Sequence, residues 1–344
     1  MIAPVAVDVM RDRHSVRIGP LPLRVPGSPR SHLLIAVGLA AFALLMTAAT
    51  AGARPSCFGH RATIVGNHRG NHIKGTPHAD VIAGMGGRDT ILGNGGRDII
   101  CGGAGNDHLL GGNQPNRLHR DKRTTLIGGP GNDKIHGSFA SDFIVGDKAN
   151  VRGDAIGGVG RDHLDGDFGN DHMVGDNFSH SNAKGGKHDW LSGQKGNDTM
   201  IGDSQVTGSG TARGGGNDHF VSASDKDFEV GDSYSPAGKA AGGGKDELNA
   251  GPQRDFIVGD SYTKTGLAVG AGRDQIHSRP GPDVAHGDNY AASAQGRVRG
   301  GKHDFIGGAG GIDHLFGGPG RDTCNGGRGH HDTARQCEFV LEVP

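Results

Sequence analysis

The chain has 344 residues, enough for two or three ordinary domains, but only 33% are hydrophobic and 5% aromatic while 66 are glycine. That composition excludes a conventional core of this size, and it excludes collagen, because the glycines cluster in pairs ahead of aspartates instead of recurring at every third position. With 36 basic against 37 acidic residues the formal net charge is −1, so no overall field steers the chain toward nucleic acid or an anionic membrane, and neither is expected as a partner.

The first element is an address label. Arg11, Arg13, Arg17, Arg24 and Arg30 precede an apolar run from Leu33 to Ala48 that only Gly38 and Thr47 interrupt. Ala51-Gly52-Ala53 then supplies small residues for cleavage near Arg54, so residues 1–53 read as a signal peptide and the protein as secreted. An uncleaved membrane anchor over 33–53 is the other reading. Residues 54–79 form an N-terminal cap. Export favours disulfides for the four cysteines, which fall in two groups: Cys57 with Cys101, and Cys324 with Cys337, one staple at each end. A four-cysteine zinc site is disfavoured, since no Cys-x-x-Cys pair occurs.

From residue 80 to 112 the chain follows a ninefold rhythm: GMGGRDTIL (Gly84 to Leu92), GNGGRDIIC (Gly93 to Cys101), GGAGNDHLL (Gly102 to Leu110). The aspartates Asp80, Asp89, Asp98 and Asp107 open a series that returns in the same phase at Asp133/Asp142, Asp162/Asp171, Asp189/Asp198, Asp218/Asp227, Asp246/Asp255, Asp274/Asp283 and Asp304/Asp313/Asp322. Asp332 closes it one residue late. An apolar residue such as Ile91, Ile100 or Leu109 follows each aspartate by two, on the same face of a short strand, and is expected to point inward.

These residues resemble the RTX, or haemolysin-type, calcium-binding nonapeptide family, G-G-x-G-x-D-x-U-x with U apolar. The resemblance implies an all-β, right-handed parallel β-roll, a β-solenoid with calcium held between successive turns. It implies as ligands Gly84, Gly86 and Asp89; Gly93, Gly95 and Asp98; Gly102, Gly103, Gly105 and Asp107; Gly128, Gly129, Gly131 and Asp133; Gly157, Gly158, Gly160 and Asp162; and Gly317, Gly318, Gly320 and Asp322. Asp171, Asp189, Asp198, Asp218, Asp246, Asp274, Asp304 and Asp313 complete the set. Elementary physics points the same way. Glycines with positive φ can turn main-chain oxygens toward a cation. One inward aliphatic side chain per nine residues cannot offset the entropy of ordering all nine, so calcium is expected to drive folding.

Residues 113–127 read as an insertion, 128–303 as repeats with insertions of about ten residues in alternate turns, and 304–344 as regular repeats with a C-terminal cap. The insertions are expected as loops stacked along one edge, beside Asp162, Asp189, Asp218, Asp246, Asp274 and Asp304. Each begins with Gly-Asp, giving Asp147, Asp176, Asp203, Asp232, Asp260 and Asp288 as additional metal ligands. Two residues on stand Phe178, Tyr234, Tyr262 and Tyr290, either a cover for the loop base or a platform for sugar rings. Along the other edge the turns before Asp142, Asp227, Asp255 and Asp283 have lost glycines, and Glu229 and Ala285 replace the apolar residue. The histidines beside the repeat aspartates occupy variable positions, and no P-loop, nucleophile elbow or His-Glu-x-x-His motif occurs. The reading is therefore a secreted calcium-binding repeat protein, structural or adhesive and without catalytic residues. The alternative is calcium-dependent polysaccharide binding or modification on the tyrosine-bearing edge.

Overall fold

A computed structural model describes residues 54–112 and 122–343. The signal or anchor assigned to 1–53 lies outside them, as does most of the insertion assigned to 113–127. Every regular element among the described residues is a strand.

The chain winds as a parallel β-roll. Each coil contributes one strand to each of two parallel twelve-stranded sheets. The first main sheet runs from Ile64–Val65 to Thr333–Arg335 and the second from His72–Lys74 to Phe339–Leu341. Register follows the repeat, so inward residues stack on inward residues: Ile91 on Leu109 in the second sheet, Ile144 on Met173 and then Met200 in the first. Two columns of such side chains, fully buried from Ile82 to Leu315, fill the space between the sheets. The expected disulfides close both ends. Cys57, in the antiparallel hairpin Ser56–Cys57/His60–Arg61, bonds Cys101 on the first main sheet, and Cys324, at an inward core position, bonds Cys337.

The six insertions stack along one edge, but they are strands rather than loops. Their outgoing halves, Ala149–Asn150 through Tyr290–Ala291, form a six-stranded parallel sheet, and their returning halves, Ala155–Ile156 through Arg297–Arg299, form another. Ala183, Ala212 and Val206 pack together within this lobe. Side chains this small let the two lobe sheets approach closely.

The core is also thicker than one side chain in nine. Across five successive coils the residue after the inward position on the first sheet is apolar as well: Val145, Val174, Ile201, Val230 and Val258. In strand alternation these face outward, and they are buried because the inner lobe sheet covers them. The aromatic ladder belongs to that second core. Phe178, Gln205, Tyr234, Tyr262 and Tyr290 are in register, so Gln205 interrupts it. Tyr234 and Tyr290 stack on Tyr262 at centroid distances of 5.2 and 5.7 Å, and Tyr262 and Tyr290 meet Phe256 edge-on. Tyr262 is buried and the other two are half-buried, so these rings bind the lobe to the roll.

Candidate metal centre

Each repeat aspartate stands immediately ahead of a strand, where a turn delivers the chain into a main sheet, and is buried. Its two oxygens have different surroundings. Oδ1 accepts the backbone N–H of the aspartate one coil earlier: Asp98 from Asp80 at 2.9 Å, Asp107 from Asp89 at 2.8 Å, Asp246 from Asp218 at 2.7 Å, Asp332 from Asp313 at 2.9 Å. Oδ2 has no hydrogen-bond partner in Asp89, Asp98, Asp107, Asp133, Asp162, Asp171, Asp189, Asp198, Asp218, Asp246, Asp274, Asp304, Asp313 and Asp322. These are all the repeat aspartates expected as ligands. A buried carboxylate oxygen without a donor is costly unless a cation faces it.

The glycines are needed for two reasons. Gly95 has a φ of +94° and open space around it, so its backbone conformation is the constraint. Gly93 has an ordinary φ, but a Cβ there would stand 2.6 Å from Asp98 Oδ2 and against the carbonyl of Gly111 on the next coil. A side chain is excluded where a carboxylate oxygen and a carbonyl oxygen converge. Of the other expected glycine ligands, Gly103, Gly105, Gly129, Gly131 and Gly318 have positive φ, while Gly84, Gly102 and Gly128 are of the close-approach kind.

One group of expected ligands is misplaced. Gly157 and Gly158 belong to the lobe, just after strand Ala155–Ile156, and do not form a repeat turn before Asp162. The glycine that faces Asp162 Oδ2 is Gly146, and Gly175, Gly202, Gly231, Gly259 and Gly287 face the aspartate beyond each later insertion in the same way. The insertion separates this glycine from its aspartate in sequence while leaving them together in space. The recurring Gly-Asp dipeptide was the available signal.

Those dipeptides bring a second carboxylate to every inserted coil. Asp147, Asp176, Asp203, Asp232, Asp260 and Asp288 are buried, each accepting a backbone N–H from the residue two before the repeat aspartate; Gly272 donates to Asp260 Oδ1 at 2.7 Å. Asp147 and Asp176 retain an unpartnered Oδ1, Asp232 and Asp288 an unpartnered Oδ2. The point that a Cβ of Gly272 would fill lies 2.6 Å from both oxygens of Asp274 and 2.7 Å from Asp260 Oδ1. Carboxylate oxygens converging on bare backbone, with no nitrogen or sulfur among them, are the donor type that a hard divalent cation prefers.

Burial raises the carboxyl pKa values of the repeat aspartates from Asp89 to Asp322, and neighbouring carboxylates raise many of them further. Asp98 is pushed up to about 7, Asp133 and Asp171 to about 9. In the paired sites Asp189, Asp218, Asp246 and Asp274 lie well above the carboxylate range, first through burial and then through facing acids. Without a cation the stacked acids cannot ionise together.

On the edge without insertions, Asp142, Asp227, Asp255 and Asp283 keep a buried, unpartnered Oδ2 despite their reduced turns. Thr124 occupies an aspartate position unnoticed in the sequence; its N–H and hydroxyl both donate to Asp142 Oδ1, at 2.7 and 2.9 Å. Glu338 ends the opposite column, accepting the Asp322 N–H at 2.7 Å. Glu229 sits fully buried in the main core between Met200 and Ile257, accepting from Ser222 Oγ at 2.7 Å. Burial pushes its pKa from 4.5 up to about 8. Its contribution to stability is therefore complete below pH 4.5 and lost as pH rises through 8. Glu229→Met should stabilise the calcium-loaded protein by about 1–4 kcal/mol at pH 8, with a smaller gain at pH 5. Urea unfolding at both pH values checks this; an equal effect at the two would refute it.

His108, His136, His163 and His219 line the second sheet, where His163, Trp190 and His219 stack in sequence, whereas His172, His286 and His314 lie on the first. His219 Nδ1 lies 3.3 Å from Glu247 and His136 Nδ1 lies 3.6 Å from Asp165. Among the described residues no three His, Cys, Asp or Glu side chains converge on one metal-sized point, so any ligation must draw on main-chain carbonyls as well as carboxylates.

Comparison with known families matches residues 74–109, 122–150, 154–179, 185–205, 240–261 and 300–330 to the RTX calcium-binding nonapeptide repeat (4 copies). The two longest unmatched stretches between them, 206–239 and 262–299, contain Glu229 and two of the turns that have lost glycines. No curated protein and no solved structure matches the chain significantly.

Proposed function

The chain carries RTX calcium-binding nonapeptide repeats across residues 74–330, and from that premise we propose that it is a secreted structural or adhesive module, assembled by calcium outside the cell and without catalytic activity. The observation that carries the calcium reading is the double column of buried repeat aspartates, each from Asp89 to Asp332 holding one oxygen with no donor. Oxygen-only donors and weak, multiple sites suit the millimolar calcium of extracellular fluid. Two disulfides favour the same oxidising setting. The non-catalytic reading is supported by the burial of the carboxylates, which leaves their oxygens inside the stack of coils and out of reach of a substrate. The packing of Tyr234, Tyr262 and Tyr290 against the roll favours a structural role for those rings over a sugar platform.

Equilibrium dialysis of the demetallated protein, with excess magnesium as competitor, tests the proposal. Uptake of several calcium ions per chain, unaffected by magnesium, is expected. Failure to take up calcium would remove its basis. Secretion is checked separately, by N-terminal sequencing of protein recovered outside the cells, with Arg54 the expected first residue.

A further inference from the structure

The formal charge of −1 describes the composition and not the surface. Among the described residues twenty-seven aspartates and glutamates are buried, whereas no lysine or arginine is. Cations bound in the columns would cancel the buried charge and leave the basic residues facing solvent.

The imbalance is greatest on the lobe. Residues 148–161, 177–188, 204–217, 233–245, 261–273 and 289–303 hold thirteen lysines and arginines and a single acid, Asp154. On the outer lobe sheet, residues flanking the buried alanine column face solvent: Lys184, Arg213, Lys239, Arg297 and Arg299 among them. Lys184 and Arg213 are direct cross-strand partners, and the neighbours beyond them are Ile156 and Ala241. Like charges placed opposite one another destabilise a sheet, so folding alone does not account for this pair. They line a groove of 430 Å³ together with Ile156, Val159 and glycines such as Gly185 and Gly214.

We propose that the outer face of the lobe binds an extracellular anionic glycan, a linear polysaccharide bearing sulfate, phosphate or carboxylate groups, through the adjacent pair Lys184 and Arg213 and, three coils further along the same register beyond Ala241 and Val269, Arg299. Cations repeated along a stack of coils match a polymer with repeated anions. Single-stranded nucleic acid is disfavoured because the sheet offers no aromatic side chain on which bases could stack. The proposal rests on the calcium reading, since only neutralised columns leave the positive surface unopposed.

Retention of the calcium-loaded protein on dextran sulfate, with neutral dextran and duplex DNA as parallel probes, tests it, alongside the triple variant K184Q, R213Q, R299Q. Binding to dextran sulfate alone is expected, weakening with added salt and falling by roughly tenfold or more in the variant, with calcium uptake and circular dichroism unchanged. Full affinity in the variant, equal binding to neutral dextran, or tighter binding to DNA would overturn it. Failure of calcium to fold the parent chain would instead count against the calcium reading, whereas a folded, calcium-loaded protein that ignores dextran sulfate defeats this inference alone.

Discussion

Removing calcium is expected to abolish most of the strand signal of residues 54–343. Twenty-seven acids are buried among the described residues, and no buried lysine or arginine neutralises them. Breaking a single buried ion pair by removing one partner costs about 3–5 kcal/mol, and a whole domain is stable by only about 5–15 kcal/mol. Loss of a few ions therefore exceeds what hydrophobic burial can supply. Far-UV circular dichroism should show a largely unfolded chain in chelator at pH 7.5 and recovery when calcium is restored. Magnesium, which dehydrates reluctantly and demands a tighter octahedral shell, should not substitute. The disulfides Cys57–Cys101 and Cys324–Cys337 constrain the unfolded chain without neutralising any carboxylate, so they should not prevent the collapse. A demetallated sample that keeps a cooperative, strand-rich fold would refute the account.

The second large effect concerns Gly202. A Cβ added there would land on the carbonyl oxygen of Gly231 in the next coil and beside Asp218 Oδ2. Both obstacles belong to the site: one is main chain held in register, the other a carboxylate with no alternative position inside the roll. Gly202→Ala should therefore cost more than about 4 kcal/mol and shift the calcium midpoint for folding upward. Gly95→Ala is the informative comparison, because only its φ of +94° opposes the change and nothing lies within 4 Å of the added atom. About 1–2 kcal/mol is expected there. Calcium titrations of both variants, followed by circular dichroism, check the ranking. Equal effects would mean that close approach between coils is not what selects glycine at position 202.

Much of the roll follows from local arithmetic. A period of nine with an aspartate and an apolar residue two apart places both on one face of a short strand, so Asp98 and Ile100 turn inward together wherever the coil lies. That is why the aspartate columns, the inward aliphatic columns and the side of the roll that takes the insertions could be read from spacing alone. The second core could not. Val230 follows an inward position and should face solvent; it is buried because the inner lobe sheet, with Tyr234 and Tyr262 in the same cluster, covers it. The Gly-Asp dipeptide that follows was visible, but nothing in it specified the cover over Val230.

By itself, then, the sequence determined periodicity, the inward faces, the cysteine pairs and the residue types able to hold a hard cation, because all of these depend on contacts at fixed and repeated separations. Tertiary structure alone decided that the insertions become strands, that the tyrosines pack against the roll, that Gly146 rather than Gly157 faces Asp162, and that most of the acid among the described residues is interior while the base is not. Those outcomes depend on which coil lies above which, and insertions of varying length put that information beyond any fixed spacing along the chain.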